Sequence, residues 1–394
     1  MSRPTPSHGD GLRVLIDSAS AARLTRRGFL GLAGASVLLA ACGDGGSTGG
    51  SPLGSSAGGG SSGGKLGGSL NIYTWAEYTD PDVVSAFGKD RGVQVALDIY
   101  DSTEAAIAKL ELAGGTSGYD IVVPTGVFIP QMVTKGLLQP LDKSKIPHLA
   151  NVDDVYLDQP WDPGNEYSVC KDWGTTGIVY DREAVKKPIT GWADFLRAAA
   201  LPGVSGRVSA LAVPADLTGI VFWRDGVDWT TTDPADLDRA EKVLLEELVP
   251  HLKAFDSYPA AAMLEGSYVL SQAFNGDART VVLEDPERYA WVLGAPKTEL
   301  WMDNWTITAD AANPDAAHAF INDVLRPEVS AKEIDFHGYN TGLRGISDTL
   351  PDLEQAELVF LTEEQVATMV PGAVNAAQDR LVQILNNARA AAGA

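Results

Sequence analysis

From Leu70 to Lys135 the chain alternates short apolar runs with helix signals, and this limits it to few architectures. Leu70–Trp75 has a strand pattern. Asp80 can cap a helix that opens with Pro81 and carries Val83, Val84 and Phe87 on one face. Val93–Tyr100 alternates like a strand, and Ser102 can cap a second helix bearing Ala106, Ile107, Leu110 and Leu112. Tyr119–Pro124 forms a short buried strand, followed by a helix near Pro130–Lys135. Such a βαβαβ unit demands a parallel sheet. Ligands of open α/β sheets bind beyond the carboxyl ends of the strands, where Trp75, Glu77, Tyr78 and Thr125 fall.

A second α/β region spans about Thr175 to Met302. It has helices near Trp192–Ala200 and Ala235–Leu248 and a strand-like run at Thr280–Leu283. Further helices are expected from Pro314 to Leu325 and on to about Ile334. The class predicted is α/β.

The N-terminal stretch 1–42 has the marks of a targeting segment. Arg26 and Arg27 lie in a twin-arginine pattern, an apolar run extends from Phe29 to Ala41, and Leu39-Ala40-Ala41-Cys42 has the form of a lipobox. Lipidation at Cys42 and anchoring to a membrane are the expectations. Residues 43–68 are almost all Gly, Ser and other small residues, which cannot bury enough apolar area to fold. They form a tether with a reach of about 25–30 Å. Gly59–Lys65 approaches a phosphate-binding loop, but Leu66 replaces the required Ser or Thr and no strand precedes it. No apolar run of about 18 residues follows the leader.

Net charge is −22 overall and −25 beyond Ala41, where 25 basic residues face 50 acidic ones. Such a surface disfavours nucleic acid and draws cations. With Cys42 committed, Cys170 has no partner for an intramolecular disulfide. His8, His148, His251, His318 and His337 show no metal-ligand spacing, so neither metal nor cofactor is expected. There is no G-x-S-x-G elbow and no other positive sign of catalysis.

The distinctive windows set aromatic residues beside acids: Trp75-Ala76-Glu77-Tyr78, Phe274-Asn275-Gly276-Asp277 and Trp301-Met302-Asp303-Asn304-Trp305. Taken singly, each ring is more often core and each acid more often solvated surface. Together they match an organic diammonium, whose methylenes need flat apolar walls and whose ammoniums need carboxylates. A ring face adds about 0.5–2 kcal/mol of cation–π attraction. Micromolar affinity needs only about 8 kcal/mol net.

The chain resembles the periplasmic spermidine/putrescine-binding proteins of ABC transporters. The likeness runs from about Leu70 to the C-terminus through Ile72–Tyr78, Tyr119–Thr125, Leu141–Lys145, Trp173–Gly177, Trp301–Asp303 and Leu325–Val329. It implies a two-lobed periplasmic binding protein fold, type II-like, with two hinge crossings and a ligand cleft between the lobes. One lobe would hold 69–174 plus 303–347, the other 175–302 plus 348–394. By the same resemblance Trp75 and Tyr78 are aromatic walls and Glu77 is an acid beside them. Thr125 is a small hydroxyl residue, Asp303 the central amine-binding carboxylate and Trp301 the stacking ring. Phe274 stands where Trp is usual, Asp277 matches an acid of putrescine-preferring members, and Tyr339 lines the cleft. Asp216 matches a terminal-amine acid loosely, with helix capping an equal alternative. Val127 departs from a Tyr frequent in spermidine binders, and Val213 from a further Asp.

The expectation is therefore a non-enzymatic, exported, lipid-anchored monomer in the periplasm or on the outer face of the cytoplasmic membrane. It captures putrescine or spermidine for an ABC permease and its ATPase. Rival readings are the same fold binding another amine, an amino-acid derivative or an opine; an exported lipid-anchored hydrolase; and a sensor presenting ligand to a receptor.

Overall fold

The computed structural model describes residues 65–113 and 118–393, together with the backbone of 13–15. Arg26, Arg27, Cys42 and nearly all of the Gly/Ser tract lie outside the described residues. β1 (Arg13–Leu15), within the stretch read as a leader, runs parallel to Ala96–Asp98 at a sheet edge.

β2 (Ser69–Thr74) enters α1 (Pro81–Arg91), where the Asp80 carboxylate accepts from Asp82 N at 2.8 Å and Gly92, with φ of 68°, ends the helix. β3 (Gln94–Ile99) and α2 (Thr103–Leu112) follow, the latter capped by Ser102 Oγ, which accepts from Ala105 N at 3.1 Å. β4 (Ile121–Val122), α3 (Ile129–Thr134) and β5 (Leu138–Gln139) complete the first unit. β3, β2 and β4 are parallel, as the alternation required. Leu112 departs from expectation, being 89% exposed. The buried positions Ala106, Ile107 and Leu110 recur at helical spacing, and Leu112 lies two residues beyond the last of them, rotated off that face.

β6 (Ser168–Asp181) is fourteen residues long and buried throughout. Its first half pairs antiparallel with a late strand, Glu299–Thr308, and its second half with Leu270–Phe274 and Tyr289–Leu293. Between them the chain forms α4 (Trp192–Ala199), β7 (Val208–Ala210), α5 (Pro214–Asp225), α6 (Pro234–Val243), β8 (Leu252–Phe255) and α7 (Ala260–Leu264). The strands just named are β9 (Leu270–Phe274), β10 (Tyr289–Leu293) and β11 (Glu299–Thr308), with α8 (Asn275–Glu284) between β9 and β10. Thr280–Leu283 is thus helical rather than a strand. Ala278, Val281 and Val282 recur at helical spacing and bury against Tyr268 and Tyr289, a packing gain that overrides the strand preference of two adjacent valines.

α9 (Pro314–Val324) and α10 (Pro327–His337) return over the first unit. α11 (Glu363–Val366), β12 (Val370–Pro371) and α12 (Gln378–Ala392) close the chain. Two large cores result. One gathers Leu70, Ile72, Phe87, Ile121, Trp305, Phe320 and Ile321. The other gathers Ile178, Trp192, Phe195, Trp223, Ile384 and Leu385. The tail divides between them: Val359, Phe360 and Val366 pack on the first core, whereas α12 packs on the second. The two-lobed α/β architecture expected from the sequence is present, with β6 running from the sheet of one lobe into that of the other. Among the described residues no helix is long and apolar enough to cross a membrane.

Candidate functional site

The end of β2 supplies the first wall. Trp75 Nε1 donates to Val123 O at 3.2 Å, which sets its ring 4.6 Å from Tyr100. Glu77 takes a left-handed backbone with φ of 52°, the turn that carries the chain inward to buried Tyr78. Tyr78 places its hydroxyl between two carboxylates, hydrogen-bonded to Asp172 and 2.8 Å from Asp303 Oδ2. Thr125 bridges backbone to backbone with Asp303.

β11 delivers Trp301 and Asp303 to the same place. The Trp301 ring stands edge-on to Phe274 at 5.8 Å and to Tyr339 at 5.1 Å, and Tyr339 meets Tyr78 at 5.7 Å. Gly174 on β6 makes this possible, because a Cβ there would lie 2.5 Å from the Trp301 ring. Tyr78, Tyr339, Trp301 and Phe274 therefore form a run of ring contacts that begins at the Asp303 carboxylate.

Asp277 approaches from the other lobe on the first turn of α8, accepting from Ala260 N at 3.1 Å. Tyr258 joins the two acids. Its phenol lies within electrostatic reach of Asp101, Asp277 and Asp303, and its oxygen accepts from Ala76 N across the gap at 3.4 Å. Asp277 and Asp303 thus both act on the Tyr258 phenol. Burial pushes the Asp277 carboxyl well up, with Glu77 and Asp256 adding to the rise. Burial, then Asp172, raises Asp303 to about 7, while the hydroxyls of Thr125 and Tyr78 temper the shift. Asp303 Oδ1 is buried and makes no hydrogen bond. Near neutrality Asp277 is therefore held protonated and Asp303 about half-charged, and each would ionise fully only beside a cation.

Asp216 sits in the first turn of α5, where Val213 occupies the capping position. The side chain instead accepts from Thr176 Oγ1 at 2.6 Å, so the capping alternative is replaced by an inward-facing acid. Burial raises it to about 6. Glu299 is raised by burial, by Asp216 and by Asp303, which places it between them. Glu77 is exposed, at the rim beside Asp277. Cys170 is buried, its thiol 3.9 Å from Thr341 O and pushed up by burial, as suits a packing residue.

Sequence reasoning missed Tyr258, Asp101, Glu299, Lys171 and Asp172. Two of these carried the signal already in use: Tyr100-Asp101 and Asp256-Ser257-Tyr258 set a ring beside an acid at or after a strand end. Asp172, directly before Trp173, and Glu299, two residues before Trp301, carried it as well; Lys171, a cation, had no such mark.

Two lobes joined by continuous strands, with acids and rings from both meeting at one gap, define a protein that captures a solute by closing on it. A profile of bacterial extracellular solute-binding proteins matches residues 82–359, and the chain belongs to that family. It is a binding component, not an enzyme. The putrescine/agmatine-binding protein of Pseudomonas aeruginosa is 31% identical over 319 residues, 77% of this chain and 86% of the relative. The spermidine/putrescine-binding periplasmic protein of Escherichia coli is 33% identical over 69% of this chain and 77% of its own length. Among solved structures, a lipoprotein of Treponema pallidum superposes with a TM-score of 0.70 at 28% identity, covering 81% of this chain and 99% of that one. A spermidine/putrescine ABC transporter substrate-binding protein of Streptococcus pneumoniae gives 0.67 at 27% identity, covering 82% and 99%.

Proposed function

We propose that this chain captures a polyamine of the putrescine or spermidine type and hands it to an ABC permease and its ATPase. The observation that supports the reading is that buried Asp277 and Asp303 both act on the Tyr258 phenol, while Tyr78, Tyr339, Trp301 and Phe274 form a run of ring contacts that begins at Asp303. Asp277 and Asp303 serve as the two ammonium partners, and the rings cover the methylenes between them. Each close pair is worth up to about 4 kcal/mol at an effective dielectric near 20, before desolvation is subtracted. Asp216 with Glu299 extends the acidic line past Asp303, giving a longer polyamine a further station. The names of the relatives agree with this ligand class.

On this reading one lobe is 69–174 with 303–347 and the tail through Val366, the other is 175–302 with α12, and they close over the ligand about the strands that join them. The chain acts as a monomer, exported through Arg26 and Arg27 and held at the membrane by lipid on Cys42. Calorimetric titration with putrescine, agmatine, spermidine and an uncharged diol of equal length tests the ligand class. Micromolar or tighter binding of an amine and none of the diol is the expected result. Silence from every polyamine overturns the reading.

A further inference from the structure

Behind Asp303 lies a buried ionic cluster of Lys171, Asp172, Glu333 and His337. The pairing of β6 with β11 slips between Asp303 and Asn304: Asp303 faces Asp172, Asn304 faces Cys170, and Lys171 is the extra residue. A bulge of this kind re-aims a side chain, and here Lys171 turns to the same side as its neighbour. Its Nζ lies 2.8 Å from Asp172 Oδ2, 3.9 Å from Glu333 Oε2 and 3.8 Å from the centre of the Tyr78 ring. His337 Nε2 stands 3.4 Å from Asp172 and 3.8 Å from Glu333, and burial holds the imidazole neutral. Lys171, Asp172, Glu333 and His337 are all buried.

The hydroxyl of Tyr78 has one proton and two carboxylate neighbours, Asp172 and Asp303. It donates to one, and contact with the other then needs a proton on that other acid. Lys171 breaks the tie. Its ammonium bonds Asp172 and not Asp303, so Asp172 keeps its charge and takes the phenol proton. The groups facing Asp303 are Asp172 and Lys171 from β6, Tyr78 from the turn after β2, Thr125 after β4, Glu299 on β11, and the Tyr100 and Tyr258 phenols. Lys171 is the one cation among them.

We propose that Lys171 is a positioning residue for ligand capture: it keeps Asp172 a carboxylate bonded by Tyr78, so the remaining proton sits on Asp303 and is the one that a ligand ammonium displaces. Binding then exchanges one proton for one ammonium at Asp303. The proton leaves to solvent, Oδ1 takes the ammonium and Oδ2 keeps Tyr78. The cluster costs desolvation, and its return is a carboxylate that stays neutral until a cation arrives.

The inference rests on the polyamine reading. The test is calorimetric titration of the full chain with putrescine, a dication throughout this range, at pH 6 and pH 8. Each titration is run in two buffers of different ionisation enthalpy, which counts the protons released. For the unaltered chain Asp303 is expected to contribute about 0.9 proton per ligand at pH 6 and about 0.1 at pH 8, in addition to the proton that Asp277 gives up, which Asp277→Asn removes from the count. Lys171→Met moves the proton to Asp172, and Asp172→Asn leaves Tyr78 free to donate to Asp303. Each should cut the Asp303 share of the release at pH 6 by at least half and flatten the pH dependence of affinity, whereas Lys171→Arg should keep both. Binding by the unaltered chain without the Asp303 share of proton release at pH 6 overturns the inference. So does release by Lys171→Met equal to that of the unaltered chain, with affinity lowered alike at both pH values, the mark of a structural role alone. If Lys171→Met fails to fold, Asp172→Asn and the unaltered chain still decide. A folded chain that binds neither putrescine nor spermidine refutes the ligand class instead.

Discussion

Replacing Asp303 by Asn should weaken polyamine binding and at the same time make the empty protein more stable. Burial and the neighbouring Asp172 raise this carboxyl from an ordinary 3.8 to about 7. Between those values the folded chain holds a proton that the unfolded chain has given up. Stability therefore falls as pH climbs through that window, and the penalty is complete above it. Three units correspond to about 4 kcal/mol at pH 8. The amide is a weaker donor to the Tyr78 oxygen than the protonated carboxyl it replaces, which returns about 1–2 kcal/mol. The net gain is about 2 kcal/mol, or roughly 4 °C in Tm for a body of this size. At pH 5 both side chains are neutral, and the gain should shrink to nothing or reverse. Affinity for putrescine should fall at least tenfold, about 1.4 kcal/mol, since a neutral amide cannot pair with an ammonium. Scanning calorimetry of both chains at pH 5 and pH 8 supplies the stability terms, and titration calorimetry the affinity. A lower Tm for Asp303→Asn at pH 8, or a shift equal at the two pH values, would refute the argument that an uncompensated charge is stored at this position.

Putrescine affinity of the unaltered chain should drop by up to about tenfold per pH unit below 7, because the Asp303 proton must then leave before the ammonium can pair; a flat profile between pH 5 and pH 7 refutes this. Asp277→Asn should cost about tenfold in putrescine affinity, and less for a monoamine, in parallel titrations. Tyr258→Phe removes the oxygen that accepts from Ala76 N across the gap, and stopped-flow fluorescence should show ligand leaving about three- to tenfold faster. Gly174→Ala would drive a methyl to 2.5 Å from the Trp301 ring and 2.4 Å from Asn275 Oδ1, with an expected cost of about 1–3 kcal/mol in urea unfolding and weaker binding.

By itself the sequence determined the local elements and pointed to the ligand class proposed. Asp80 and Ser102 are followed by helices because a side-chain oxygen beside free backbone N–H groups is a local arrangement, readable within a few residues. The apolar runs of β2 to β4 read as parallel strands because period and length are also local. Trp75, Tyr78, Phe274, Asp277, Trp301 and Asp303 stood out because rings beside acids are rare as core and rare as surface. Local reading failed where packing partners were distant. Val281 and Val282 looked like strand until the contacts with Tyr268 and Tyr289 made them helix. Asp216 could equally have been a cap until Thr176, forty residues away, proved to be its donor. Only the tertiary structure brought Tyr258 within electrostatic reach of both Asp277 and Asp303. It alone used a slip in strand register to turn Lys171 toward Asp172. Charge state follows from distance and burial, neither of which a linear order of residues contains, so the site's composition was legible and its electrostatics were not.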